Sequence, residues 1–199
     1  MDAETTLKRF TAGELSAEEL AKALHDDADE MERYLDNDPD QEPYNYVRGS
    51  VFQFLLGCEL QTASGALDAQ GAIADFFDRN GVSYDRDPGP QELYDLMLRV
   101  QPGYVGADVD WLVERYSKHP EWNDEEGREE WLRRRIVEDF RFHKNPPDWI
   151  QDPSWAVGPE GPYLFVGQLE VEGLFHDAAA IYVFYDPRTG HTENVIQVM

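Results

Sequence analysis

The sequence predicts an α+β fold: an N-terminal bundle of about six helices over residues 1–143, and a small C-terminal antiparallel sheet over residues 144–199 that packs on it. Apolar residues recur at helical spacing in the first region, whereas β-rich runs separated by turn signals fill the second. The preferences change at Asn145-Pro146-Pro147, where helices are expected to stop. We expect the two regions to form one continuous globular unit.

The first helices are predicted over residues 4–10 and 16–36. Ser16 and Glu19 have the S-x-x-E spacing of a capping box, which marks the start of the second helix. Behind this cap, the residues at helical spacing are Leu20, Leu24, Met31 and Leu35. The pattern predicts one continuous helix over 16–36 with its acidic residues on the outer side.

Further helices follow at intervals set by turn signals. The segments with helical periodicity are about 44–61, 66–79, 90–100, 109–118 and 124–142. Gly81 suits the position just beyond the end of the 66–79 helix, and Asp108 suits the cap of the 109–118 helix.

The C-terminal region predicts three strands. YLFVGQLEV and AAAIYVFYD are rich in β-branched and aromatic residues, and DPRTG is a turn that leads to the short strand ENVIQVM. Since the connections are short, an antiparallel three-stranded meander with one face against the helices is the simplest arrangement.

Charge narrows the classes of partner. The formal net charge is −24, and acids outnumber bases 13 to 4 in residues 1–40, 20 to 11 in residues 41–143 and 8 to 2 in residues 144–199. Because every region is acidic, direct binding of nucleic acid or of an anionic membrane surface is not expected. The acidity fits a basic protein partner, and it fits equally a solubility or high-salt adaptation of the host.

Cysteine usage and hydropathy predict a cytoplasmic protein. A single cysteine, Cys58, cannot form an internal disulfide, and its neighbours in FQFLLGCEL predict a buried, unreactive thiol. No apolar run reaches the length of a membrane span, and the N-terminus lacks the apolar core of a signal peptide.

Motifs for catalysis and cofactor binding are not found, so no cofactor is expected. The five histidines are scattered without H-x-x-x-H spacing, and nucleotide-binding glycine motifs do not occur. His176 and Asp177 lie at the predicted tip between strands, where a solvated loop is favoured over a catalytic role.

One loop has the beginning of a calcium-binding pattern. Asp36, Asp38 and Asp40 alternate as in the opening of an EF-hand loop. Gln41 replaces the glycine needed at the sixth position, and Val47 replaces the glutamate needed at the twelfth. A plain acidic loop is therefore favoured over a calcium site.

The residues around the first predicted strand carry a family resemblance. Trp149 and Trp155 flank Gln151-Asp152-Pro153, Gly161-Pro162 leads into Tyr163–Gln168, and an aromatic partner strand ends at Asp186. Residues 149–188 resemble the YwqG-like family of uncharacterised bacterial proteins, and the first 143 residues do not match it. The matching positions are Trp155, Gly161, Pro162, Phe165, Gly167 and Gln168. Some members lie beside polymorphic toxin genes, so the resemblance implies an immunity role.

Three residues of this segment are predicted to be structural. A glutamine on an apolar strand needs hydrogen-bond partners, so Gln168 is expected to bind the backbone of the tryptophan- and proline-rich segment before the strands. Trp149 and Trp155 are assigned to the same scaffold.

The leading functional hypothesis is a non-catalytic acidic binding protein: a bacterial immunity protein or antitoxin that neutralises a basic toxin by occlusion. Carboxylates of the first long helix and the following loop would meet basic residues of the toxin around an aromatic anchor. The predicted contact residues are Asp26, Asp27, Asp29, Glu30, Tyr34, Asp36, Asp38, Asp40, Tyr44 and Tyr46.

Two alternatives from other classes remain open. One is an enzyme or a small-ligand or calcium-binding protein, with a pocket between helices and sheet near Trp149, Trp155 and His176. The other is a DNA mimic that inhibits a nucleic-acid-binding enzyme by presenting carboxylates in place of phosphates.

Overall fold

The structure is a computed structural model that describes residues 2–36, 50–119, 122, 127–171 and 178–199. Within these residues the chain forms eight helices, a three-stranded antiparallel sheet and a two-stranded sheet. The α+β class and the three-stranded meander are confirmed, whereas the expected number of about six helices is wrong. The chain divides into two compact units, Met1–Tyr94 and Asp95–Met199.

The first unit begins with α1 (Ala3–Thr11), α2 (Ala17–Asp26) and α3 (Ala28–Leu35). The Asp2 carboxylate caps α1 by accepting a hydrogen bond from the Thr5 N–H at 2.9 Å. At the start of α2, Ser16 and Glu19 form both reciprocal bonds of the predicted capping box.

The predicted continuous helix over residues 16–36 is wrong, because the chain breaks at Asp27. This residue ends α2 and begins α3 with φ −112° and ψ 31°, outside the helical region. Aspartate has a low intrinsic helix propensity, and Asp26 and Asp27 place two such residues in succession at this point. Leu24 and Met31 are both buried on either side of the break, so apolar spacing alone did not reveal it.

Two further helices complete the core of this unit, α4 (Val51–Gly57) and α5 (Ala63–Asn80). Gly81 ends α5 in the left-handed conformation, with φ 64°, as predicted. Large apolar side chains from all five helices are buried together: Leu7, Phe10, Leu20, Leu24, Met31, Leu35, Leu55, Ile73, Phe76 and Phe77.

Helix α6 (Gly89–Val100) crosses the boundary between the units, and α7 (Val109–Tyr116) and α8 (Arg128–Asp139) belong to the second. The Asp108 side chain caps α7, as predicted, by accepting from the Trp111 N–H at 3.0 Å. The buried Tyr116 hydroxyl donates to Asp139 at 3.0 Å and joins α7 to α8.

The strands of the second unit follow these helices. A two-stranded sheet pairs β1 (Val157–Gly158) with β2 (Gly161–Pro162), and the larger sheet has the order β3-β4-β5. Its strands are β3 (Leu164–Val171), β4 (Ala179–Tyr185) and β5 (Thr192–Val198), all antiparallel. A register shift between Phe165 and Gly167 forms a bulge in β3.

The core of the second unit is aromatic. Trp155 lies in ring contact with Phe140 of the segment after α8, with Phe165 of β3 and with Phe184 of β4. Phe140, Phe165 and Phe184 are also buried. Helix-derived and strand-derived rings thus share one cluster, which fixes the sheet against the preceding chain segments of this unit.

Within the described part of the chain, no helix combines the length and apolar character required to span a bilayer.

Candidate functional site

Helices α2 and α3 and their ends carry a group of exposed carboxylates in the described part of the chain. Asp26, Asp27, Asp29, Glu32 and Asp36 all have exposed side chains. None of these five forms an ion pair with another described residue. We call them the α2–α3 carboxylates.

The local backbone explains why these carboxylates project outward. Leu20, Leu24, Met31 and Leu35 turn into the core of the unit, so the opposite sides of α2 and α3 face solvent. Asp27 lies at the junction of the two helices and its side chain makes no capping hydrogen bond. The junction therefore presents this carboxylate to solvent along with its neighbours.

Glu30 and Tyr34 make contacts within the molecule. Glu30 Oε1 accepts from the Ala3 N–H at 3.3 Å, and the Tyr34 hydroxyl donates to Glu4 Oε2 at 3.1 Å. The Tyr34 ring packs edge-on against Phe76 with a centroid separation of 5.5 Å. Burial, followed by the hydrogen bond to Glu4, raises the pKa of Tyr34. These two side chains fix α3 on α1 and thereby position the neighbouring carboxylates.

The remaining predicted contact residues, Asp38, Asp40, Tyr44 and Tyr46, lie outside the described residues. The same applies to two of the three candidate calcium ligands, Asp38 and Asp40, while Asp36 is the C-terminal cap of α3. Within the described ranges, no three His, Cys, Asp or Glu side chains are grouped closely enough to hold a metal ion.

The structure buries Trp155 in the aromatic core of the second unit and places Trp149, which is half-buried, against Phe184 of that core. Trp149 Nε1 donates to the Tyr104 carbonyl at 2.9 Å, and its ring lies 4.2 Å from that of Tyr182. Trp155 Nε1 donates to the Tyr163 carbonyl at 2.9 Å in a buried position. Both indole N–H groups thus bond backbone carbonyls of their own unit.

Gln168 binds the backbone of Asp148 with both ends of its amide. Its Oε1 accepts from the Asp148 N–H at 2.7 Å, and its Nε2 donates to the Asp148 carbonyl at 3.2 Å. The Tyr182 hydroxyl also donates to the Asp148 carbonyl, at 2.9 Å. Strands β3 and β4 thereby hold the segment that precedes them.

The Cys58 thiol is half-buried rather than fully buried, and it donates to the Phe54 carbonyl at 3.4 Å. Burial, followed by the Asp68 carboxylate, raises the pKa of this thiol to about 11. At neutral pH the thiol is therefore protonated, which makes it a poor nucleophile.

One polar cluster was missed by the sequence analysis. Asp186, which is 3% exposed, accepts hydrogen bonds from the Arg188 N–H and Nε at 3.0 and 2.7 Å, and from the Thr189 hydroxyl at 2.9 Å. Arg188 also donates to the carbonyls of Glu160 and Gly161, which ties the β4–β5 turn to the smaller sheet. An aspartate before a proline turn accepts in this way from the residue two positions on, and that was the available signal.

This cluster predicts a pH dependence of stability. The hydrogen bond from the Arg188 side chain lowers the pKa of Asp186 below its usual value, and the hydrogen bonds from the Arg188 backbone N–H and the Thr189 hydroxyl lower it further. Because the folded-state pKa is lowered, the carboxylate stabilises the fold above the unfolded-state pKa of about 3.9, and this stabilisation is lost as the pH falls through the folded-state pKa. We expect Asp186→Asn to be less stable than the wild type at pH 7, and the difference to shrink on acidification.

Urea unfolding followed by tryptophan fluorescence at a series of pH values measures this difference. Glu160→Gln is the control, because it removes one exposed carboxylate near the same turn without touching the Asp186 side chain. A stability difference between wild type and Asp186→Asn that stays constant down to the lowest pH would contradict the prediction.

Comparisons with protein-family models, with curated proteins and with solved structures gave no match. The resemblance of residues 149–188 to the YwqG-like family stays a prediction.

Proposed function

We propose that this chain is a non-catalytic binding protein whose α2–α3 carboxylates bind and occlude a basic protein partner. The observation that supports this proposal is that Asp26, Asp27, Asp29, Glu32 and Asp36 are exposed and form no ion pair with another described residue. Carboxylates that are not neutralised within the fold remain available to an external cation.

The charge of the surrounding helices favours the same class of partner. Residues 17–36 contain eight acids and only two bases, Lys22 and Arg33. Clustered charge of one sign raises the rate of encounter with a partner of the opposite sign and disfavours partners of like sign. Nucleic acids and anionic lipid surfaces are excluded from this surface for that reason.

The positioning of α3 supports occlusion by a preorganised surface. The Glu30 and Tyr34 bonds to α1 fix the helix on the unit core before any partner binds. A surface that is already ordered loses less conformational entropy on binding. The partner class that fits is a cationic toxin or a nucleic-acid-handling enzyme, whose substrate site is lined by basic residues. An immunity protein or antitoxin of a bacterial toxin is the corresponding biological role.

A matched pair of charge variants tests this proposal. The surface variant neutralises four α2–α3 carboxylates through Asp26→Asn, Asp27→Asn, Asp29→Asn and Glu32→Gln. The control variant neutralises four exposed carboxylates outside these helices through Glu59→Gln, Asp68→Asn, Asp85→Asn and Glu92→Gln. Both variants change the net charge equally, so a difference between them reports the location of the charge.

Immobilised wild-type protein is used to capture partners from a lysate of the source organism, and a captured basic protein is purified and its association rate measured. We expect this partner to be encoded beside the gene for this chain. We expect the surface variant to associate with it at least about tenfold more slowly at low salt, and the control variant to resemble wild type. Capture of no basic protein, or equal rates for the two variants, would contradict the proposal.

A further inference from the structure

β5 is an edge strand of the larger sheet, because the sheet order is β3-β4-β5. Asp186 N–H donates to the His191 carbonyl at 2.8 Å, and Met199 N–H donates to the Ala178 carbonyl at 2.9 Å. Since hydrogen-bonded pairs alternate in an antiparallel ladder, the odd-numbered residues of β5 bond to β4. The N–H and C=O groups of the even-numbered residues therefore point away from the sheet.

Part of this edge is already covered. The Gln151 side chain donates to the outward carbonyl of Val198 at 2.7 Å. Within the described residues, the outward backbone groups of Asn194 and Ile196 have no partner. These two residues are one repeat apart along the strand, which is the spacing at which an added strand forms its hydrogen bonds.

A shallow, open cleft of about 710 Å³ lies beside the Ile196 part of this edge. The residues that line it are Ile150, Gln151, Asp152, Ser154, Val195, Ile196 and Gln197. Its wall is fixed to β5, because the Gln151 N–H donates to Gln197 Oε1 at 2.9 Å and Gln197 Nε2 donates to the Asp152 carbonyl at 2.8 Å. The cleft is thus a built feature of the second unit.

Exposed apolar residues on the outer face of the larger sheet indicate which side chains an added strand would carry on that face. On the outer face of the sheet, Leu169, Ile181 and Ile196 stand directly across from one another, and Leu169 and Ile196 are 63% and 58% exposed. An added strand with apolar side chains on that face would extend this row.

Charge around the edge favours a cation on the other face of the added strand. Asp152 of the cleft wall is exposed, and so is Glu193 of β5, which contacts His191 Nε2 at 3.3 Å. Strands β3, β4 and β5 contain no lysine or arginine. Successive side chains of a strand point to opposite faces of the sheet. If the apolar side chains of the added strand lie on the outer face, its alternating basic side chains lie on the inner face, where these carboxylates are.

We propose that the β5 edge and its cleft bind an extended segment of a partner protein, with alternating basic and apolar side chains, by strand addition. A second copy of this chain fits less well, because its own β5 carries Glu193 and no base, and each copy has a net charge of −24. The site uses the second unit alone, so it stands independently of the α2–α3 carboxylates.

A synthetic peptide of alternating lysine and valine with blocked termini is the probe, and a peptide of alternating glutamate and valine is its control. Backbone amide NMR of the whole chain locates the binding, and amide hydrogen exchange measures protection. We expect the lysine peptide to shift and protect the amides of Asn194 and Ile196, which exchange rapidly without it. We expect the glutamate peptide to cause neither change.

Two variants test the contacts. Ile196→Pro removes an N–H that points away from β4, so the ladder is retained, and we expect it to weaken peptide binding about tenfold. Ile196→Val is its control, because it keeps the N–H and an apolar β-branched side chain. Asp152→Asn keeps the backbone carbonyl that Gln197 binds, and we expect it to weaken binding of the lysine peptide by about threefold or more.

Several results would overturn this proposal. These are shifts located away from Asn194 and Ile196, equal binding of the two peptides, or protection of both amides without peptide together with a dimer in sedimentation. If Ile196→Pro fails to fold, the amide protection in wild type and the Asp152→Asn affinity still decide the question. If the lysine peptide does not bind at β5 but the surface charge variant of α2 and α3 associates more slowly than its control, the proposed function is supported and only the strand-addition proposal is wrong.

Discussion

Replacing Trp155 with alanine is expected to lower the free energy of unfolding of the second unit by about 3–5 kcal/mol. The side chain is 4% exposed, and its Nε1 donates to the Tyr163 carbonyl at 2.9 Å. Its ring also contacts Phe140, Phe165 and Phe184. Alanine would remove these contacts and leave a large cavity at the point where helix-derived and strand-derived rings meet.

Trp155→Phe separates the two contributions of this side chain. Phenylalanine retains most of the aromatic packing but leaves the buried Tyr163 carbonyl without its donor, so we expect a smaller loss of about 1–3 kcal/mol. All five tryptophans lie in residues 95–199, so urea unfolding followed by tryptophan fluorescence reports on the second unit. A loss below about 1 kcal/mol for Trp155→Ala would contradict the central position of this residue.

The Trp155 cluster also shows which features of the second unit could be predicted from the sequence and which could not. Runs rich in β-branched and aromatic residues, together with turn signals, predicted the three strands and their order, because each depends on residues close together in the chain. Trp155 contacts both Phe140 and Phe184, which lie far apart from each other in the sequence. Periodicity carries no information on such pairings, so the aromatic core was not predicted residue by residue.

The break at Asp27 is a feature of the helices that the sequence did not predict. The capping box at Ser16 was predicted because its two bonds are local. The break was missed because Leu24 and Met31 keep helical spacing across it, seven positions apart, and both are buried. The signal that was available was the pair of aspartates at 26 and 27, a residue type that is unfavourable inside a helix.

For the candidate site, the sequence shows which residues are acidic, but it did not predict which of them form hydrogen bonds within the protein. Asp26 and Asp29 are exposed, whereas the neighbouring Glu30 accepts a hydrogen bond from the Ala3 backbone. Tyr34 is similarly engaged by Glu4, which lies thirty positions away in the sequence. These assignments require the packing of α3 on α1, which no local pattern encodes.

The second large effect is expected at Gly106. This residue has φ +54°, a left-handed conformation that costs alanine about 1–2 kcal/mol. An added Cβ would lie 2.1 Å from the Pro153 carbonyl oxygen and 2.4 Å from its carbonyl carbon. Because the obstacle is backbone, a rotamer change cannot relieve the overlap. Residues 153–155 would have to move, and the hydrogen bond from the Trp155 N–H to the Val105 carbonyl at 3.1 Å would be strained.

We therefore expect Gly106→Ala to destabilise the second unit by about 3–5 kcal/mol, as measured by the same fluorescence-detected urea unfolding. The same loop supplies the control, because a Cβ added at Gly103 meets no atom within 4 Å. Gly103→Ala is expected to change stability by no more than about 0.5 kcal/mol. If the two alanine variants were equally stable, the close approach of this loop to Pro153 would not exist in solution. Unequal stabilities in the expected direction would show that the loop before α7 and the segment leading to Trp155 pack as one structural element.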